Sequence, residues 1–459
     1  MTDRNVPRVL VFCRDYLIDD FRQALGPHAS DYDFHYLTDG SYVGVSDTRS
    51  RFYARLATAT RQTNWNEGDE DDVIARCRLL RGLPRAQSLR MLRAMLSILV
   101  EEFDAIDPVM VYAQMVDEYV THLVSEVARR RGIVYAGICY SYFPEKIQAT
   151  RYWMGAPCDF RAPDRIEAES TLETISPHTF RQNYQMAPSY DRLSHLMAVS
   201  RYWLKRAVFP LLGRLKRDSL NIHYACLPFV AERRRLGDYP TSSWFHGDWR
   251  ERLARAKELR GVRAIYLPLG YFPESTIDYW VGNRLALDYE NLVVEICEAL
   301  AGDHVVLVKE HTHMLGARDP MLYRRLSKIP GLINIPPFEF SNDALAASDA
   351  VLLGGGSIGV EAHLRDKPVF TFCDTSYWFE PTASVFIDLS RIVEWPDVIG
   401  RALASSTRNE ADDKVEFVRK CLASTLRLEK VGKTWPIPVQ EDLSLLLKTC
   451  CDLPVSKDT

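Results

Sequence analysis

Apolar and polar positions along this chain repeat with two different periods, and the points where one period gives way to the other mark its elements. Arg8-Val-Leu-Val-Phe-Cys13 is a short, nearly unbroken apolar run of the kind shown by a buried strand, and Tyr32-Asp-Phe-His-Tyr-Leu37 alternates with period two. Between Ser88 and Val100 the period lengthens to that of a helix, with Leu89, Leu92, Leu96 and Leu99 along one face. Asp107-Pro108 interrupts the chain. Val109–Tyr112, a helix over about Val116–Arg130 and Ile133–Gly137 then form a strand–helix–strand unit, with Gly132 placed to end the helix. Such a unit predicts a parallel, right-handed strand pair.

Periodicity weakens from about Tyr140 to Asp248, where aromatic and basic residues dominate, and becomes regular again at Ala264-Ile-Tyr-Leu-Pro268. A helix over about Leu285–Leu300 places Leu285, Tyr289, Leu292, Val293, Ile296 and Leu300 on one face. Strand His304–Val308, helix Asp319–Lys328, strand Leu332–Ile335, helix Asn342–Ala347, strand Ala350–Leu353, helix Ile358–Arg365 and strand Pro368–Phe372 follow. Strands alternating with helices in this way predict a doubly wound parallel sheet. The expected organisation is an α/β domain over residues 1–255 with an irregular insertion at about 140–248, a second α/β domain over 256–400, and a helical segment over 401–459. The fold class is thus α/β, with two Rossmann-like doubly wound domains facing a cleft, the architecture called GT-B.

The chain of 459 residues exceeds what one core normally fills, which agrees with two or three domains. Hydrophobic residues at 47% and charged residues at 26% are the balance of a soluble globular protein, and a net charge of -4 argues against bulk nucleic-acid binding. No window reaches the roughly eighteen apolar residues needed to span a bilayer, and Met1–Arg8 lacks the apolar core of a secretory leader. The ten cysteines form no CxxC pair, so reduced thiols in a cytoplasmic protein are expected. Ser200–Arg217 carries six cations among large apolar side chains. It reads either as a helix on an anionic membrane surface or as an ordinary amphipathic helix broken at Pro210.

Candidate chemistry lies where strands end. Gly354-Gly355-Gly356-Ser357 opens a helix, so backbone N–H groups can approach an anion without interference from Cβ, and the helix dipole favours negative charge there by roughly 0.3–1 kcal/mol. Ser357 can cap the helix or bond a phosphate, and Glu361, one turn on, can accept from a ribose diol. The structural alternative is a tight turn with Ser357 as N-cap and Glu361 as a surface acid. Lys309, His311 and His313 follow another strand of the same sheet, where a lysine and an imidazole can neutralise a leaving phosphate. His-Thr-His with no third ligand nearby is a weak metal pattern, and no metal or other cofactor is expected. On the acceptor side, Asp117 and Glu118 sit just past a strand at a helix start. They are placed either to deprotonate a sugar hydroxyl or to complement the helix dipole, and Glu145 is the other candidate base.

Three blocks, Tyr266-Leu-Pro-Leu-Gly-Tyr-Phe-Pro-Glu-Ser-Thr276, Val308-Lys-Glu-His-Thr-His-Met-Leu-Gly316 and Gly356-Ser-Ile-Gly-Val-Glu-Ala362 with Lys367-Pro-Val369, resemble the surface and capsular polysaccharide biosynthesis proteins, a group that includes the Kdo transferases of capsule assembly. The resemblance runs from about Ala264 to Trp378. It implies a glycosyltransferase that takes a nucleotide-sugar donor, CMP-Kdo or a related CMP-linked sugar, and a glycan or glycolipid acceptor. It places Lys309 and His311 at the phosphate and Ser357 and Glu361 at phosphate and ribose; Pro273-Glu274 reads either as a carboxylate placed at the cleft or as a structural turn. Thr312 stands where the pattern has proline, and Gly270 where a histidine often stands. The rival readings are a nucleotide-sugar epimerase, a polyol-phosphate transferase using a CDP-alcohol, and a catalytically inactive assembly partner that contacts other enzymes or the membrane.

Overall fold

The computed structural model describes residues 6–58, 65–152, 155–175, 246–272, 275–314, 318–373, 384–405 and 411–453, with single residues between 193 and 215. Among these, one compact unit is formed by the chain up to Glu173 together with the stretch from Val418 onward, and a second by the stretch that ends at Phe417.

In the first unit, β1 (Arg8–Phe12), β2 (Asp33–Thr38), β3 (Ser46–Asp47), β4 (Met110–Gln114) and β5 (Val134–Tyr140) pair in parallel, in the spatial order β3-β2-β1-β4-β5. Val9, Leu10, Val11 and Phe12 are all fully buried, so both faces of the central strand are covered. One face carries Val9, Val11, Tyr112 and Ile138, packed with Ile18 and Phe21 of the helix Ile18–Leu25 and with Leu443, Leu446 and Leu447 of the helix Gln440–Asp452. The region expected to be irregular contributes β6 (Lys146–Arg151) and β7 (Ala156–Pro157), both antiparallel.

The second unit contains β8 (Ala264–Pro268), β9 (Val305–Lys309), β10 (Leu332–Ile335), β11 (Ala350–Leu353), β12 (Val369–Thr371) and β13 (Val385–Phe386), parallel throughout in the order β10-β9-β8-β11-β12-β13. The helix Tyr289–Leu300 buries Leu292, Val293, Ile296 and Leu300 as the spacing predicts. Leu285 does not join that face: it lies in the 3-10 turn Arg284–Asp288 and is exposed.

The chain then returns to the first sheet. β14 (Thr425–Val431) pairs antiparallel with β6, and β15 (Pro436–Pro438) with β14. The segment over 401–459 is therefore not wholly helical. In Thr425-Leu-Arg-Leu, Leu426 and Leu428 face the core while Arg427 points away, which is strand alternation in a stretch too short to stand out among helices. Asp20 fixes the return, accepting from the N–H groups of Lys433 (2.8 Å), Thr434 (2.7 Å) and Trp435 (2.8 Å) and from the Thr434 hydroxyl (2.9 Å).

In both sheets the strand order reverses direction about the first strand: between β1 and β4 in the first unit, and between β8 and β11 in the second. Loops leaving the carboxyl ends of two such strands diverge to opposite faces and open a crevice, where ligands of doubly wound sheets bind.

Candidate functional site

At the second unit's reversal point, β11 ends in the glycine turn. A Cβ on Gly354 would stand 2.5 Å from the Phe372 ring, so packing requires glycine there. Gly356 adopts φ 128°, ψ 162°, which is open in practice only to glycine. Gly355 is under neither constraint, since its added Cβ would meet only the Thr276 carbonyl at 3.7 Å. Gly356, not Ser357, is the N-cap of the helix Ser357–Leu364, and no side chain caps it. Gly359 N–H donates to the Gly356 carbonyl at 3.3 Å, which leaves the N–H groups of Ser357 and Ile358 to face an outside acceptor. The Ser357 hydroxyl instead bonds Glu361 one turn on. Glu361 is 8% exposed rather than a surface acid; burial pushes its carboxyl up to about 7 against the opposing pull of Arg365 and Ser357.

The loops after β8 and β9 form the other wall. His311 is half-buried, with its ring edge-on to Tyr271 at 5.5 Å between centroids. Lys309 is placed differently from the expectation of a cation offered at the edge. Strand alternation turns its side chain inward, where Nζ donates to the Pro337 carbonyl at 3.1 Å, and burial lowers its amine to about 8 while Glu310 and Glu339 oppose the shift. The turn Thr312–Met314 forms with Thr312 in place of a proline, and Met314 N–H donates to the His311 carbonyl at 2.8 Å. Glu274 and the His313 side chain lie outside the described residues.

Sequence reasoning did not anticipate Glu310 and Arg318. They form a fully buried pair, with Nε to Oε2 at 2.9 Å and Nη2 to Oε1 at 3.0 Å. Glu310 also accepts from His311 N–H (2.7 Å) and the Tyr323 hydroxyl (2.9 Å). Arg318 Nη2 donates to the Gly270 carbonyl at 2.5 Å, and Gly270 N–H to the Tyr289 hydroxyl at 2.6 Å. Gly270 thus has no histidine imidazole to offer, and its backbone is held from both sides.

The first unit's reversal point gathers charge. Arg14 follows β1, Asp39 follows β2, and Asp117 and Glu118 follow β4. Arg14 lies 3.4 Å from Asp39, 3.6 Å from Asp117 and 3.9 Å from Glu118. Burial works against its charge, but the carboxylates outweigh burial and hold the guanidinium protonated. Burial raises the Asp39 carboxyl, with Arg14 opposing. Glu118 rises to about 7 through burial, again against Arg14. Its oxygens are engaged as the helix cap, accepting from Val120 N–H (2.9 Å) and Thr121 N–H (2.8 Å). Asp117 is more open, a third of its side chain remaining accessible, and accepts from Gln114 Nε2 at 3.2 Å. The site thus divides the expected pair: Glu118 caps and Asp117 faces outward. Glu145 is an exposed turn residue (φ 56°) between β5 and β6, its carbonyl accepting from Leu428 N–H. Arg14 and Asp39 carried one unread sequence signal, since each stands within two residues of a strand's carboxyl end.

Among the described residues, no three His, Cys, Asp or Glu side chains gather as a metal cluster, and no helix is long and apolar enough to cross a membrane. Of the cationic segment, Arg201, Leu204, Val208, Leu211 and Leu215 are helical and exposed. Lys205, Arg206, Lys216 and Arg217 lie outside the described residues.

No family model and no curated protein matches the chain. Among solved structures it is similar to a UDP-GlcNAc 2-epimerase of Methanocaldococcus jannaschii in complex with UDP-GlcNAc and UDP, at 12% identity over 90% of this chain and 98% of that one, TM-score 0.28. It is similar also to the beta Kdo 2,7 transferase KpsC of Thermosulfurimonas dismutans, at 12% identity over 84% and 97%, TM-score 0.32. A Neisseria meningitidis UDP-GlcNAc 2-epimerase bound to UDP-GlcNAc gives 12% identity over 91% and 98%, TM-score 0.28. Likenesses this loose assign neither activity nor residues to the present chain.

Proposed function

We propose that the chain is a nucleotide-sugar-dependent glycosyltransferase of the GT-B type, with the donor nucleotide held at the reversal point of the second unit. One observation carries the reading: an uncapped helix N-terminus, reached through Gly354–Gly356, opens at the carboxyl end of β11 beside β8, with the Glu361 carboxylate one turn below. The three sequence blocks that resemble capsular polysaccharide proteins support it, since they end β8, end β9 and open the helix after β11, three loops of one sheet edge. In this reading the N–H groups of Ser357 and Ile358 and the His311 side chain meet the phosphate, where fixed dipoles stabilise charge on the leaving group. Glu361 accepts from the ribose hydroxyls. Lys309, mostly protonated at neutral pH, adds positive potential from beneath rather than by contact. Asp117 takes the proton of the acceptor hydroxyl, with the Arg14 guanidinium 3.6 Å from its carboxylate.

The resemblance favours a CMP-linked donor such as CMP-Kdo and a surface glycan or glycolipid acceptor. A thermal-shift panel of CMP, UMP, UDP, GDP and CDP without added metal tests this, because a ligand that binds only the folded chain raises its apparent stability. Selective stabilisation by CMP is the expected result. Preference for UDP with turnover of donor in the absence of acceptor would move the protein to the epimerases, and no response to any nucleotide would overturn the reading.

A further inference from the structure

Glu310 and Arg318 lie between the loops that build one wall of the candidate nucleotide site. Their side chains are 2% and 0% exposed, and such a buried ion pair is weak evidence for stability, because desolvation offsets most of the attraction. What distinguishes this pair is the backbone it holds. The Glu310 carboxylate takes the His311 N–H, while Arg318 takes the Gly270 carbonyl, whose own N–H is held by Tyr289. The anchored His311 and Tyr271, the residue that follows Gly270, are the two whose rings meet edge-on. Tyr323 closes the second carboxylate oxygen, so the fork-on-fork geometry has one orientation.

We propose that Glu310 and Arg318 are positioning residues for nucleotide binding, fixing the β8 and β9 loops in register so that Tyr271 and His311 face the helix N-terminus at Gly356. The inference rests on the nucleotide reading above. A purely structural pair would be replaceable by apolar side chains of similar volume with little consequence. A positioning pair would not, since apolar groups can fill the space but cannot hold the Gly270 carbonyl or the His311 amide.

The test compares the full chain with Glu310→Leu/Arg318→Met, and with Arg318→Lys, which keeps the charge but not the planar fork. Melting temperature, amide hydrogen exchange and calorimetric titration with CMP and UDP are read on each. The double variant is expected to melt close to the wild type. Its Gly270 and His311 amides should exchange faster while those of Val306–Val308 do not, and its affinity for the nucleotide that binds wild type should fall about ten-fold or more. Arg318→Lys should lie between the two, and it decides the matter if the double variant does not fold. Unchanged affinity in a folded variant, with wild type binding, overturns the positioning role and leaves the nucleotide site standing. Absence of binding by wild type itself overturns both.

Discussion

Arg14 Nη2 lies 3.6 Å from Asp117 Oδ1 at the point where the first sheet reverses its strand order, while neighbouring Glu118 is tied down as a helix cap. Adjacent carboxylates in one sequence motif therefore have separable roles. Asp117→Asn should lower turnover by about 10²–10⁴-fold, the usual worth of a positioned base, with nucleotide affinity and melting temperature near wild type. Glu118→Ala should instead cost about 1–3 kcal/mol in denaturant unfolding, because two helix N–H groups lose their acceptor. Equal losses of turnover from both substitutions, at equal stability, would remove the distinction.

Asp20 predicts a stability effect far from any ligand. Burial alone would raise its carboxyl, but four hydrogen bonds from residues 433–435 outweigh burial and bring it below the usual range. A carboxyl depressed in the folded state stabilises above its unfolded value, near 4, and that stability is lost as pH falls through the folded value. Asp20→Ala should therefore cost about 2–4 kcal/mol at pH 7 and progressively less as pH falls below about 4, as read from urea midpoints across that range. A difference independent of pH would mean that the hydrogen bonds do not depend on the charge.

The second sheet was largely legible in the sequence because parallel strands buried on both faces appear as apolar runs, as at Val305–Val308 and Ala350–Leu353. The antiparallel additions were not. Lys146-Ile-Gln-Ala-Thr-Arg151 carries polar residues on a strand whose interior is buried, so Gln148 and Thr150 concealed it, and Thr425–Val431 was masked by helices on either side. The placement of the glycine turn before a helix, with Glu361 one turn along it, was legible from spacing. The Arg14–Asp39–Asp117 cluster was not, because residues separated by up to 103 positions meet only through strand order. Arg318 had no local signal at all: its partner Glu310 is eight residues away across a loop.

Gly354 offers a separate check on the turn. The Phe372 ring leaves no room for a methyl group, so Gly354→Ala must displace either the ring or the glycine turn. The expected outcome is a loss of about 1–3 kcal/mol in stability together with weaker nucleotide binding. Gly355→Ala, whose Cβ would make only an ordinary contact with the Thr276 carbonyl at 3.7 Å, should leave stability within about 0.5 kcal/mol.

Two readings of Ser200–Arg217, a helix on an anionic membrane surface and an ordinary solvated helix, both accommodate the exposed Leu204, Leu211 and Leu215, and vesicle binding separates them. If the membrane reading holds, flotation with anionic vesicles recovers wild type and much less of a variant with Lys205, Arg206, Lys216 and Arg217 replaced by Ser. Equal recovery of the two would leave the segment as an ordinary solvated helix.

Glu361 connects the site to pH. Its folded carboxyl titrates near 7, above the usual carboxylate value of 4.5, because it is buried. Below pH 7 it is protonated and poorly suited to accept from a ribose diol; above pH 7 it is ionised and able to. If only the ionised form binds, affinity for nucleotide rises roughly ten-fold between pH 6 and pH 8, the change in ionised fraction across a group centred at 7. The free ligand's phosphate titrates in the same window for wild type and Glu361→Gln alike, so the comparison of the two removes that contribution. The linkage to folding has the opposite sign. An acid whose folded value is raised holds its proton when the unfolded chain has released it, so its contribution to stability declines as pH rises from about 4.5 to 7. Glu361→Gln should therefore bind nucleotide weakly at every pH while being the more stable protein at pH 8. A variant that loses affinity and stability together at pH 8 would identify Glu361 as a structural carboxylate instead.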